Sequence, residues 1–383
     1  MPRPPQAPEA VAGMKGSVYS SFLHKLATHR GEVYPFHVGD TWKAPPEGCS
    51  LEEVLAADHP GLNQYTPPQG LPRLLDLVVD RVRRRTGVPA ERENVLISGG
   101  ATAGLMAVIG AVAAPGDEVL LLAPHWPLIA GHVRMFGATP VPVPLFGVAR
   151  SMDEALEAVA AKATGRTVAL YLNTPNNPSG RVLPRRWAEA LVGWAASRNL
   201  WIVFDEVYED YVYSGDPSPG ISLAPERSFS AHSFSKAYGM AGYRCGYLVG
   251  PRAPMAEALK LHTHSTYSAP TAAQVAGVRL LEGAGDAWAA VTREEYRKVG
   301  SAAARRLGVP EPEGSSFLFL DVAPRLGPGG LAAFLEGCAD EGLFAAPGSS
   351  FGPFPTHLRI CTTSCPPDVV ARGVEVLARR LGR

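Results

Sequence analysis

No run of apolar residues in this chain approaches the roughly 18 that a membrane-crossing helix requires, so no membrane-embedded protein is expected. Net charge is absent as well. The 36 Lys and Arg residues balance 36 Asp and Glu, which leaves no electrostatic reason to expect nucleic acid or an anionic membrane as a partner. Cysteine is sparse and unpatterned. Cys49, Cys245, Cys338, Cys361 and Cys365 form no Cys-x-x-Cys pair, and such an odd, scattered set suits reduced thiols in the cytoplasm better than a disulfide framework. Cys361 and Cys365 lie close in sequence, but no further His or Cys completes a ligand set, so no metal is expected. The proline-rich head Met1–Pro8 lacks the apolar segment of a secretory signal and is expected to be an extended, mobile arm.

What is present points to a large globular chain. Hydrophobic residues make up 46% of 383 positions, enough for one large α/β domain or two domains. From Glu91 to Gly250, short apolar runs alternate with helical stretches. Strands are expected at 94–98, 118–123, 167–172, 200–204, 228–232 and 245–249, with helices at 101–113 and 185–197. Most of these strands show no polar alternation, the mark of a parallel sheet covered on both faces. The link from His232 to Cys245 is too short for a helical crossover, so the last strand is expected to run antiparallel to its neighbours. After residue 270 an αβαββα run (286–307, 316–322, 330–341, 343–346, 358–361 and 368–381) suggests a smaller α+β domain.

Lysine is scarce, with seven in the chain, and one stands in an unusual place. Lys236 lies in Ser233-Phe-Ser-Lys-Ala-Tyr-Gly-Met-Ala-Gly-Tyr-Arg244, directly after an expected strand. A lysine held there, out of water and near another cation, can lose its proton and attack a carbonyl. Pyridoxal phosphate is the aldehyde it would most plausibly hold, with Ser233, Ser235 and Arg244 as phosphate ligands. The bland account is a solvated lysine in a glycine-flanked loop. Other distinctive residues also fall at strand ends, where ligands of open α/β sheets collect. Asp205 ends the strand Leu200–Phe204, and there it can either pair with a protonated pyridine nitrogen or cap the next helix. Tyr208 follows three residues on and could donate to the ring oxygen. Ser98-Gly-Gly-Ala101-Thr102 joins a strand to a helix whose N-terminus favours an anion. Trp126 can cover the ring face, or simply fill a core. Arg359, on an apolar strand, needs an anionic partner, either a substrate carboxylate or a structural salt bridge.

The run around Lys236, the loop Asn173-Thr-Pro-Asn-Asn177-Pro-Ser-Gly180 and the segment Asn63-Gln-Tyr65-Thr-Pro-Pro-Gln-Gly70 together resemble the class I/II aminotransferases, the fold-type I pyridoxal-phosphate enzymes. Cys245 departs from that signature, which usually has an aliphatic residue there. The resemblance implies a mostly parallel seven-stranded sheet with one antiparallel strand, plus a smaller α+β domain. On this pattern residues 1–46 form an N-terminal arm and part of the small domain, 47–283 the large cofactor-binding domain, and 284–383 the small C-terminal domain. It makes Asn177 the donor to the ring oxygen, and Ala101 and Thr102 phosphate ligands. Tyr65 would reach the phosphate of a neighbouring subunit, which implies a homodimer with shared sites. The backbone near Gly39 would join Arg359 in orienting the substrate carboxylate, and the Asn177–Pro178 bond would be cis.

The implied reaction moves an amino group between an amino acid and a 2-oxo acid, with Lys236 shuttling a proton. The same residues would also serve a lyase, decarboxylase or cyclase; a non-catalytic effector-binding module is the remaining rival. His264 stands where aspartate-type relatives carry a second arginine, which argues against aspartate as the favoured donor. Trp42 either lines the side-chain pocket or only packs the small domain, and Lys43 beside it departs from the common pattern.

Overall fold

The computed structural model describes residues 9–14, 21–283 and 285–383; the head Met1–Pro8 lies outside the described residues. Two sheets organise the chain. The larger contains β1 (Val95–Ser98), β2 (Glu118–Ala123), β3 (Thr139–Pro144), β4 (Thr167–Asn173), β5 (Trp201–Asp205), β6 (Ser228–Ser233) and β7 (Gly246–Val249), in the order β1-β7-β6-β5-β4-β2-β3. The strands β6, β5, β4, β2 and β3 pair in parallel; β7 is antiparallel to both β1 and β6. The short lysine loop explains the reversal. It returns the chain at the same edge of the sheet, so Gly246 pairs with Ser98 on one side and Ser233 on the other.

Strand ends fall within one residue of the expected ones, but β3 is an additional strand. Its sequence, Thr139-Pro-Val-Pro-Val-Pro144, looks unsuited to a ladder. It pairs only with β2, however, and its three prolines are spaced two apart. Successive residues of a strand turn their nitrogens to opposite sides, so all three missing N–H groups fall on one side of an edge strand. An unpaired edge of this kind resists further strand addition.

The second sheet, β8 (Phe317–Asp321), β9 (Ala346–Pro347) and β10 (His357–Cys361), is antiparallel with β10 in the middle. The strand expected over 343–346 is correspondingly reduced to the two residues of β9. Tyr34 bridges Leu343 in parallel, and Tyr34 and Phe36 join Leu318, Leu320, Leu358, Ile360, Val374 and Leu377 in one buried cluster. The N-terminal segment therefore packs with the C-terminal sheet, as expected. The helix Gly285–Leu307 serves both parts: Ala289 and Tyr296 sit in the cluster against the large sheet, while Ala303, Ala304 and Leu307 sit in the small one. Among the described residues no helix is long and apolar enough to cross a membrane.

Candidate active site

The carboxyl ends of β1, β2, β4, β5 and β6 meet the start of β7 along one edge, and a cavity opens there. It is lined by Gly39, Ala101, Thr102, Leu105, Trp126, Asn173, Asn177, Asp205, Val207, Tyr208, Ser233, Ser235, Lys236, Arg244 and Arg359. Every sequence-predicted site residue except Tyr65 is in this wall. Residues from 39 to 359 thus converge on a single volume.

Lys236 is half-buried, and its Nζ donates to the carbonyl of Gly39. Removal from water is the main cause that holds its ammonium below the usual lysine range; Arg359 and Arg244 push the same way and Asp40 opposes them. That is the condition a carbonyl-attacking lysine needs. The loop beneath it is fixed by Tyr211, whose hydroxyl donates to the Lys236 carbonyl at 2.7 Å, and by Ser235 N–H bonding Ser233 Oγ at 3.0 Å.

Asp205 is buried at the end of β5. Burial pushes its carboxyl up to about 6, against the opposing pull of the Tyr171 hydroxyl, the Val207 N–H and the His232 ring. No Lys or Arg forms an ion pair with it among the described residues. The helix-capping account fails, because among the described residues Val207 supplies the one backbone N–H that reaches the side chain, at 3.4 Å, and a turn rather than a helix follows. A buried carboxylate in a cavity wall without a fixed cation suits a cationic ring nitrogen.

Asn177 is joined to Pro178 by a cis peptide bond, as expected. Its Oδ1 accepts from Arg359 Nη1 at 3.1 Å, so the amide nitrogen is the group left to donate into the cavity. Arg359 is almost wholly buried and also donates to the His37 carbonyl. Its guanidinium lies between Phe317 and Phe351, with Cζ 4.4 and 5.0 Å from the ring centroids. Two aromatic faces hold the plane of the fork.

The other end of the cavity suits an anion. Gly100 begins the helix Gly100–Val112 at φ +71°, and a Cβ built there would stand 2.6 Å from Arg244 Nη2. Only glycine lets that guanidinium approach the helix N-terminus, which Ala101 and Thr102 continue and Ser233 and Ser235 face from β6 and its loop. The Arg244 guanidinium, a helix N-terminus and several hydroxyls, with the buried Asp205 carboxyl in the same cavity wall, fit the phosphate and ring nitrogen of pyridoxal phosphate.

Tyr65, His264 and Trp42 lie outside the cavity of their own chain. Tyr65 is 85% exposed and its ring lies 4.9 Å from that of Tyr267, outside the cavity of its own chain. His264, in the last turn of the helix Arg252–Thr266, is exposed too. Trp42 does not line the cavity. Lys43 ion-pairs Glu295 at 2.6 Å, with its Nζ 5.3 Å from the Trp42 ring and 5.8 Å from that of Trp288. These side chains pack the N-terminal segment onto the helix Gly285–Leu307. Conversely, Asn173 is a functional residue that the sequence did not single out. Its Oδ1 accepts the Asn177 N–H at 2.6 Å and its Nδ2 donates to the Asp205 carbonyl at 2.8 Å, so it ties two site segments together.

Comparison with known proteins agrees with this geometry. A family model described as aminotransferase class I and II matches residues 19–377. A probable aspartate/prephenate aminotransferase of Thermus aquaticus is 34% identical over 308 residues, 78% of this chain and 79% of that protein. An arginine–pyruvate transaminase of Pseudomonas aeruginosa is 32% identical over 372 residues, 92% of this chain and 91% of that one. Among solved structures, the aspartate aminotransferase of Thermus thermophilus with maleate superposes with a TM-score of 0.88 at 27% identity, covering 98% of this chain and 100% of that one.

Proposed function

The chain belongs to the class I and II aminotransferase family and is a pyridoxal-phosphate-dependent aminotransferase, and we propose that its amino donor carries an uncharged side chain rather than the carboxylate of aspartate. The observation that carries the proposal is the charge inventory of the cavity. Among the described lining residues the cations are Lys236, Arg244 and Arg359, and each has a task. None remains on this chain for a second substrate carboxylate, and an unpaired carboxylate in a half-closed site is costly.

When bound, the cofactor supplies an aldehyde for the amino group and a protonated ring that accepts the electron pair left at Cα. The protein does the rest. Lys236 Nζ holds and moves the Cα proton, for which its lowered basicity suits it. Asp205 binds the ring nitrogen, Asn177 and Tyr208 the ring oxygen, and Trp126 covers the ring face. Ala101, Thr102, Ser233, Ser235 and Arg244 grip the phosphate. Arg359 and the backbone near Gly39 orient the α-carboxylate.

The test is a single-turnover screen without acceptor. An uncharged amino acid is expected to release one equivalent of its 2-oxo acid per site, with kcat/KM about tenfold or more above that of aspartate. Aspartate as the best donor would overturn the donor proposal, and release of carbon dioxide or an elimination product instead would favour the rival chemistries.

The proposal extends to assembly, with residues 47–283 as the large domain, 1–46 and 284–383 forming the small one, and two copies sharing their sites in the cytoplasm. Exposed Tyr65 and His264 are the residues offered to the second copy. Mixing inactive Tyr65→Ala and Lys236→Ala proteins should then restore up to about a quarter of wild-type activity, the statistical yield of hybrids with one intact site. A monomer by light scattering, with no recovery on mixing, would contradict sharing.

A further inference from the structure

Tyr171 lies in the middle of β4, fully buried in a strand whose neighbours Leu170 and Leu172 are apolar. A phenol in such a place is destabilising unless its hydroxyl is bonded. It donates to Asp205 Oδ2 at 2.6 Å, a length typical of a hydroxyl bound to a carboxylate. The sheet register places it there: Asn173 pairs with Asp205, and Tyr171 lies two residues before Asn173 on the same face. Among the described residues the other donor to this carboxylate is the Val207 N–H at 3.4 Å, on Oδ1. Tyr171 therefore makes the one strong bond to Oδ2 and leaves Oδ1 for a partner in the cavity.

We infer that Tyr171 is a positioning residue that holds the Asp205 carboxylate oriented and ionised for the cofactor's ring nitrogen. The inference rests on the cofactor assignment made above and adds to it a member that acts through Asp205. Other charges frame the pair. His232 on β6 lowers the pKa of Asp205 and Glu206, just after β5, raises it, while His232 is itself ion-paired to Glu209 at 3.1 Å and faces Glu206 at 3.9 Å. Tyr208 is the other ionisable neighbour of the phenol. Among these groups Tyr171 is the neutral donor in direct contact. Burial and the Asp205 charge hold its own ionisation well above the usual tyrosine range, so it remains a donor throughout the working pH range.

The experiment compares wild type, Tyr171→Phe, Asp205→Asn and the double variant. Apoprotein labelled with carbon-13 at the aspartate carboxyls is titrated by NMR, with the Asp205 signal assigned by its loss in Asp205→Asn. Pyridoxal phosphate affinity is measured separately at pH 7. Tyr171→Phe is expected to raise the Asp205 midpoint by about one pH unit and weaken cofactor binding about five- to tenfold. In the Asp205→Asn background it should weaken binding no further. Unchanged titration and affinity in Tyr171→Phe, or an equal loss in both backgrounds, would overturn the inference. A wild type that binds no pyridoxal phosphate would instead overturn the cofactor assignment itself. Should Tyr171→Phe fold poorly, fluorotyrosine at position 171 keeps the shape and strengthens the donor. The Asp205 midpoint should then fall, and a midpoint that stays put would count against the inference.

Discussion

Lys236→Ala is expected to lower transamination turnover by about four orders of magnitude while the fold survives and part of the cofactor's phosphate binding is retained. Positioned proton transfer contributes up to about ten-thousandfold, and among the described residues no second lysine lines the cavity to replace it. The reason to expect an intact fold is local. Nζ bonds only the Gly39 carbonyl, at a cavity wall that water can reach once the side chain is shortened. The loop is anchored by other atoms: the Tyr211 hydroxyl on the Lys236 carbonyl, and the buried rings of Phe234 and Tyr238 on either side. Steady-state turnover, a thermal melt and equilibrium dialysis of the cofactor check the three parts of this expectation. Turnover within tenfold of wild type would show that another group moves the proton.

Arg359→Lys is expected to lower kcat/KM about a hundredfold, and by a similar factor for the amino donor and the 2-oxo acceptor. Both substrates present the same α-carboxylate, so one lost grip must weaken both. Lysine keeps the charge but loses the planar fork and its seat between Phe317 and Phe351. It also cannot serve the Asn177 oxygen and the His37 carbonyl with the same geometry, so Asn177 is less firmly held. Steady-state constants for each substrate at saturating concentrations of the other provide the check. A defect confined to one substrate would place Arg359 at a side-chain pocket instead of the shared carboxylate site.

The parts of this site that were legible in the sequence are those whose chemistry is out of place locally. Asp205 at the end of an apolar strand, Arg359 inside another, and Lys236 among small residues each demand a partner that their neighbours in sequence do not supply. The antiparallel β7 was legible for a geometric reason, since the loop from Ser233 to Gly246 leaves no room for a crossover helix. Tyr171 was not legible. In sequence it is one more large residue in a buried strand, and its role appears only when β4 and β5 align Asn173 with Asp205. The β3 strand was hidden by its prolines, which are tolerable only because that strand lies at the edge of the sheet. Lys43 lies close to Gly39 in sequence, yet its side chain turns to Trp288 and Glu295 on a helix more than two hundred residues away. Sequence distance carries no information about such a contact.

Reduction of the cofactor-loaded protein with borohydride, followed by peptide mapping, tests the central claim most directly. The account predicts a single labelled peptide, with the cofactor fixed to Lys236 and the other six lysines bare. A label on Lys43 or Lys260, with Lys236 unmodified, would contradict it.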